Sequence, residues 1–136
     1  MAALVYALFS GIIGKCSKKT ITEKILVISF AQVISNSMVE VLKKKVDRRR
    51  PGLSLKYNSF PSRHTAMSFC GAEILCSQKD SENYESIAGY FIAITTALLR
   101  IRRKKHWLSD VVAGALIGII SAKLSRKLCN RFLIHS

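Results

Sequence analysis

The 136-residue sequence predicts an all-α protein, a membrane-embedded bundle of about five helices. Hydrophobic residues make up 49% of it, enough apolar surface to offset the entropy of ordering, so a disordered chain is excluded. They fall into five blocks rich in Ala, Leu, Ile and Ser, with no proline inside and no strict alternation, which fits helices better than half-buried strands. The blocks are apolar on every side, as expected of a buried helix or a membrane span. A water-soluble helical bundle is the rival architecture, because the longest charge-free run, residues 25–39, is shorter than the about 20 residues of a clean span. Snorkelling Lys and Arg side chains at the block ends would extend the spans.

The elements follow in order. Residues 1–14 form the first block and lack the basic start and small-residue cleavage site of a targeting peptide. The second, residues 25–42, cannot continue past Arg50-Pro51-Gly52, since proline disfavours helix in the residue before it. The third, residues 65–77, follows Pro61-Ser62, which offers Ser62 as an N-cap. A polar loop over residues 78–85 leads to the fourth, residues 86–99. Ser109-Asp110 would cap the fifth, residues 111–122. Glu40 and Glu73, near or within apolar blocks, must face the bundle interior or a helix end. Cys16, Cys70, Cys76 and Cys129 lie in or beside apolar stretches without disulfide or zinc spacing, and read as small buried hydrophobes.

The 22 Lys and Arg against 8 Asp and Glu leave a net charge of +14, which implies an anionic partner: nucleic acid, an anionic bilayer surface or a phosphorylated substrate. Three polar clusters interrupt the apolar pattern, at residues 43–51, 61–64 and 100–110. In an up-and-down bundle all three lie at the same end. His106 and Asp110 are four apart, the spacing that brings two side chains onto one helix face. An aspartate there fixes the imidazole tautomer and leaves the other ring nitrogen as acceptor or nucleophile; an ordinary helix-start His with an N-cap Asp is the plainer alternative. His64 begins a helix, where free N–H groups and the dipole favour anions.

Taken together, Lys43, Arg50-Pro51, Pro61-Ser62-Arg63-His64, Arg100, His106 and Asp110 resemble the motifs of the type 2 phosphatidic acid phosphatase (PAP2) superfamily in order and internal spacing. That superfamily holds membrane lipid phosphatases, glucose-6-phosphatase, bacterial acid phosphatases and vanadium haloperoxidases. The resemblance implies a single domain over residues 1–136 with a core like that of PAP2 enzymes and haloperoxidases. It also implies a metal-independent phosphatase, with no cofactor, acting on a phosphorylated or diphosphorylated membrane lipid through a phosphohistidine.

Residue by residue, it implies that Lys43, Arg50 and Arg100 hold the phosphoryl oxygens, and that the backbone and hydroxyl of Ser62 with the backbone of Arg63 complete the cradle. His106 would attack phosphorus, Asp110 would orient it, and His64 would protonate the leaving oxygen and then activate water. Two positions depart from the family pattern. Arg63 stands where glycine is usual, and would either narrow the site or add a donor, for instance for a diphosphate. Leu99 stands where serine precedes the arginine, with the loss of one hydroxyl.

Familiar membrane members have about three helices ahead of the first motif, and residues 1–42 hold two. The resemblance therefore implies a bundle shortened at its N-terminus, a partner helix or second copy supplying the wall, or a start further upstream. Lipid is favoured over soluble substrate, and no nucleic-acid partner is expected, because electrostatic binding needs no histidines at set spacings. The alternatives are a catalytically impaired family member and a nonenzymatic basic membrane protein that binds anionic lipid. The chain is read as an integral membrane protein whose active site, by resemblance, faces the non-cytoplasmic side. Cations outside the pocket divide evenly between the two ends and do not decide the orientation. Among them, Arg48 and Lys105 read as a solvated rim or as attraction for anionic headgroups, and Trp107 as an interfacial anchor or pocket wall.

Overall fold

A computed structural model describes residues 18–52, 57–77 and 83–134. They form four helices and, among the described residues, no strand: α1 (Lys18–Lys45), α2 (Arg63–Cys76), α3 (Asn83–Arg102) and α4 (Leu108–Ile134). The first apolar block, residues 1–14, lies outside them, as do Cys16 and most of the polar loop at 78–85. The other four blocks are helices, each longer than its apolar stretch. Helix α1 ends at Lys45, five residues before the proline-restricted Arg50. The last helix begins at Leu108 rather than after Ser109-Asp110, so Asp110 lies inside its first turn.

Helix α2 is the hub. It packs most extensively on α4 and then on α3, while α1 lies against α4 and less extensively against α2. With 14 residues it is about 21 Å long at 1.5 Å per residue, shorter than the hydrocarbon core, and it is screened by its neighbours along nine of its residues. Small side chains make this possible. Ala31, Cys70, Ala72 and Ala122 are buried alongside Ile28, Ile74 and Leu75, and a second cluster joins Val39, Ala66 and Ile117. Gly114 and Gly118 of α4 face α2 so closely that a Cβ at Gly114 would stand 2.6 Å from the Ser62 carbonyl oxygen. Small residues four apart that let two backbones touch are a recurrent device of membrane helices.

Large apolar side chains point outward instead. Phe30 and Val33 of α1, Phe91 and Leu98 of α3, and Leu116 and Ile120 of α4 are all at least half exposed. Among the described residues, two helices carry stretches long and apolar enough to cross a membrane, Ile25–Lys45 and Leu108–Arg131. Both carboxylates that the sequence placed near or within apolar blocks have cationic partners. Glu73 is buried, accepts a hydrogen bond from the Tyr90 hydroxyl and lies 3.9 Å from Lys123 Nζ; Glu40 pairs with Arg63. Of the described cysteines, Cys70 and Cys129 are buried as expected, whereas Cys76 in the last turn of α2 is exposed.

Candidate active site

The three polar clusters meet at one end of the bundle. Lys43, Arg50, Asn58, Arg63, His64, Arg100, Lys105 and His106 line one cavity of about 260 Å³. Each element delivers its residues for a local reason. Lys43 belongs to the last turn of α1, where cations offset the negative end of the helix dipole. Arg50 is held in the following loop by donating from Nε to Asn58 Oδ1 at 3.1 Å.

Helix α3 ends in a left-handed turn. Lys105 N donates to Arg100 O at 3.1 Å and Lys104 N to Ile101 O at 2.9 Å, with Lys104 at a φ of 50°. This closure caps the orphan carbonyls and turns the chain so that Arg100, Lys105 and His106 all reach the cavity. Lysine is an unusual occupant of that position, since a side chain there crowds the backbone. Lys104→Gly is expected to stabilise the protein by about 0.5–1 kcal/mol. The check is thermal unfolding in detergent, and an unchanged or lower Tm would count against strain at this turn.

His106 and Asp110 are both buried, on either side of the α4 start. The imidazole does not bond the aspartate directly. His106 Nδ1 is 2.7 Å from the Ser59 carbonyl oxygen and 3.9 Å from Asp110 Oδ2. A carbonyl only accepts, so Nδ1 carries the proton and Nε2 is left as the lone-pair nitrogen. Asp110 acts one step further out: it accepts from the Ser59 hydroxyl, from Trp107 N at 2.8 Å and from Arg48 Nη1 at 3.0 Å. As the third residue of α4 reaching back to the N–H before the helix, it caps that helix from within. The same carboxylate thereby ties the α4 start to the segment that fixes His106.

Arg48 is the largest departure from expectation. Rather than a solvated rim charge, it pairs with the fully buried Asp110, donates to Ser109 Oγ at 2.6 Å and lies over the Trp107 ring at 5.5 Å. Trp107 in turn donates from Nε1 to Arg49 O at 3.0 Å, so it clamps the first cluster to the third. Lys105, also read as rim, lines the cavity. Asn58 and Ser59 had no signal in the sequence, because they sit in an irregular segment without periodicity or motif.

The second cluster also rearranges. Ser62 occupies the N-cap position of α2, but its hydroxyl pairs with Thr65 Oγ1 at 2.9 Å and its N–H donates to Asp110 O at 2.9 Å. Ser62 is fully buried and is not among the cavity-lining residues; it locks α2 to α4. The N–H groups of Arg63 and His64, at the start of the helix, have no intrahelical acceptor, and the positive end of the α2 dipole opens on the same mouth. The Arg63 guanidinium lines the cavity and also pairs with Glu40, one turn before Lys43 on α1.

Both histidines are held below their ordinary value of 6.5. For His64 the main cause is partial burial, reinforced by Arg100, Lys43 and Arg63. For His106 it is again burial; the hydrogen bond to Ser59 and the charge of Asp110 oppose the shift, and Arg50 and Lys43 add to it. Two neutral imidazoles at neutral pH, surrounded by guanidinium and ammonium groups, make a site built for an oxyanion.

Comparison with known proteins agrees with this architecture. Lipid A 1-phosphatase of Porphyromonas gingivalis is 35% identical over 97 residues, 71% of this chain and 22% of that protein. The chain thus spans less than a quarter of that relative. The crystal structure of LpxE from Aquifex aeolicus matches with a TM-score of 0.72 at 25% identity, covering 93% of this chain and 84% of that one. The apolar outer surface and the two spanning-length helices, with these relatives, mark a membrane protein. The sequence profile of the PAP2 superfamily matches residues 1–133, and with the all-helical fold and the gathered motif residues it assigns the chain to the PAP2 superfamily.

Proposed function

We propose that the protein is a phosphatase of a phosphorylated or diphosphorylated membrane lipid that works through a phosphohistidine at His106 and needs no metal ion. The observation that carries this reading is the tautomer: the Ser59 carbonyl accepts a hydrogen bond from Nδ1–H, which leaves Nε2 as the nucleophile of a cavity also lined by Lys43, Arg50 and Arg100. Those three cations hold the phosphoryl oxygens and stabilise the charge that spreads over them in the transition state. His106 Nε2 forms a bond to phosphorus as the ester P–O bond breaks. His64 gives its proton to the departing oxygen, then takes one from the water that attacks the phosphohistidine. Among the described residues the cavity wall carries five cations and no carboxylate, and those cations disfavour a divalent metal. The mouth faces the non-cytoplasmic side, a reading supported by the family resemblance.

The test is release of inorganic phosphate by protein in detergent micelles from a panel of lipid phosphates with EDTA present. Turnover that persists in EDTA supports the reading; turnover that is lost and restored by a divalent cation contradicts it.

The histidine shifts set a pH dependence. Lowering its pKa keeps His106 in the neutral, attacking form down to mildly acidic pH. It also means that the protonated fraction of His64, the form that acts as acid, declines as pH rises through a value below 6.5. The expected kcat/KM is therefore highest on the acidic side of neutrality and falls towards alkaline pH. A profile flat from mildly acidic to alkaline pH would contradict the acid role of His64.

A further inference from the structure

Ser59 is the residue through which the nucleophile is held, and Arg48 grips it from two sides. The Ser59 N–H donates to the Arg48 carbonyl at 2.9 Å, and the Ser59 hydroxyl donates to Asp110 Oδ2. The other carboxylate oxygen, Asp110 Oδ1, accepts from Arg48 Nη1 at 3.0 Å. Backbone and side chain of Arg48 thus close a hydrogen-bonded circuit through Ser59 and Asp110, and from that circuit the Ser59 carbonyl meets His106 Nδ1 at 2.7 Å. The guanidinium is itself fixed, by Ser109 Oγ at 2.6 Å and by the Trp107 ring at 5.5 Å. Arg48 is not among the residues lining the cavity that holds His64 and His106, so it acts on that cavity through others. Charge gives the circuit its role. Asp110 is fully buried, and its Oδ2 lies 3.9 Å from His106 Nδ1. A buried carboxylate without a cation draws the nearest N–H donor towards itself or takes up a proton. Arg48 removes that pull and leaves His106 to the neutral carbonyl.

We propose that Arg48 is a positioning residue for the nucleophile: by holding Asp110 and Ser59 together it keeps the carboxylate off His106 Nδ1 and aims Nε2 into the cavity. This rests on the phosphatase reading of that cavity. When Nε2 bonds to phosphorus, the electron pair of the breaking P–O bond goes to the leaving oxygen, and Nδ1 keeps its proton because a backbone carbonyl has no site to take it. The imidazole of the phosphohistidine then carries a positive charge, which Asp110 offsets through space without accepting the proton. Water attacking the phosphorus displaces a neutral imidazole rather than an imidazolate, the easier departure. Arg48 therefore bears on both halves of the reaction without touching the substrate.

The experiment compares the wild-type protein with Arg48→Gln, Arg48→Lys and Arg49→Gln in detergent micelles. Kinetics measures kcat for the lipid phosphate turned over fastest in the EDTA panel, calorimetry measures binding of inorganic phosphate, and nitrogen NMR measures the histidine ring resonances. Arg48→Gln should lower kcat about tenfold or more, the scale of a misaimed reacting atom, and Arg48→Lys about threefold or more, since lysine keeps the charge but not the fork. Inorganic phosphate should bind each variant within about twofold of wild type, because Lys43, Arg50 and Arg100 still line the cavity. The Nδ1 resonance of His106 should move in both Arg48 variants while that of His64 stays. Arg49→Gln, at the exposed neighbour, should match wild type in all three measurements. Smaller losses of kcat, or an unmoved His106 resonance, overturn the proposal; so does phosphate binding lost in step with kcat, the mark of a site that merely collapses. If Arg48→Gln does not fold, Arg48→Lys decides by the same criteria. No turnover of any lipid phosphate, with intact phosphate binding and a shift confined to His106 in the Arg48 variants, overturns the hydrolase reading alone and upholds the positioning of the imidazole.

Discussion

His106→Ala is expected to lower kcat for lipid phosphate hydrolysis by about 10⁴-fold or more, the scale of losing a nucleophile on which the rest of the site depends. The side chain is buried and its one hydrogen bond among the described residues is to the Ser59 carbonyl, so the variant loses that anchor while Asp110 keeps Arg48, Ser59 and Trp107 N as partners. The start of α4 should therefore hold, and the unfolding temperature in detergent should change little beside the rate. Steady-state phosphate release checks the first expectation and thermal unfolding the second. Retained turnover would mean that His106 is not the nucleophile. A loss of the folded state together with turnover would make His106 a structural residue first.

Gly118→Val is expected to cost about 3 kcal/mol or more of stability and to abolish activity with it. A Cβ at this position would overlap the Ala66 carbonyl oxygen and stand 2.8 Å from Cys70 N, backbone atoms of α2 that cannot turn aside as a side chain can. The two helices would have to part. Because the Ser62 N–H bonds the Asp110 carbonyl across the same interface, separation also displaces the segment that carries His64 from the start of α4. Thermal unfolding and phosphate release measured on the same preparation check this, with Gly118→Ala expected to be milder. A valine variant with the wild-type Tm would mean that α2 and α4 do not pack backbone to backbone.

What the sequence made legible follows from the range of the signals. Lys43, Arg50, His64, Arg100 and His106 could be placed at one mouth because helix parity alone puts the three clusters at the same end of an up-and-down bundle. Their gathering around one cavity agrees with that argument. The helices themselves were readable as apolar blocks, though their ends were not. Asp110 looks like a residue before a helix, yet serves as the third residue within one, and only the neighbouring N–H of Trp107 reveals it. Arg48 was unreadable for a different reason. It lies in a run of cations of similar appearance, and its partner is 62 residues away. Arg63 likewise meets Glu40 only after α1 and α2 have packed, so the ion pair at this position could not be read from the sequence. The expected cradle of Ser62 was legible as a motif position, but tertiary packing directs both its hydroxyl and its N–H inward.

The central claim is that His106 Nε2 becomes covalently phosphorylated. A rapid quench into alkali, where phosphohistidine survives, tests it most directly when applied to protein turning over a lipid phosphate labelled in its phosphoryl group. His64→Ala is the useful background, because losing the residue that activates water slows breakdown of the intermediate. The account predicts labelled protein approaching one phosphoryl group per chain in that variant, with the label mapping to the peptide that contains His106 and absent from His106→Ala. Turnover of the lipid with no labelled protein at any time, or with the label elsewhere, would contradict it.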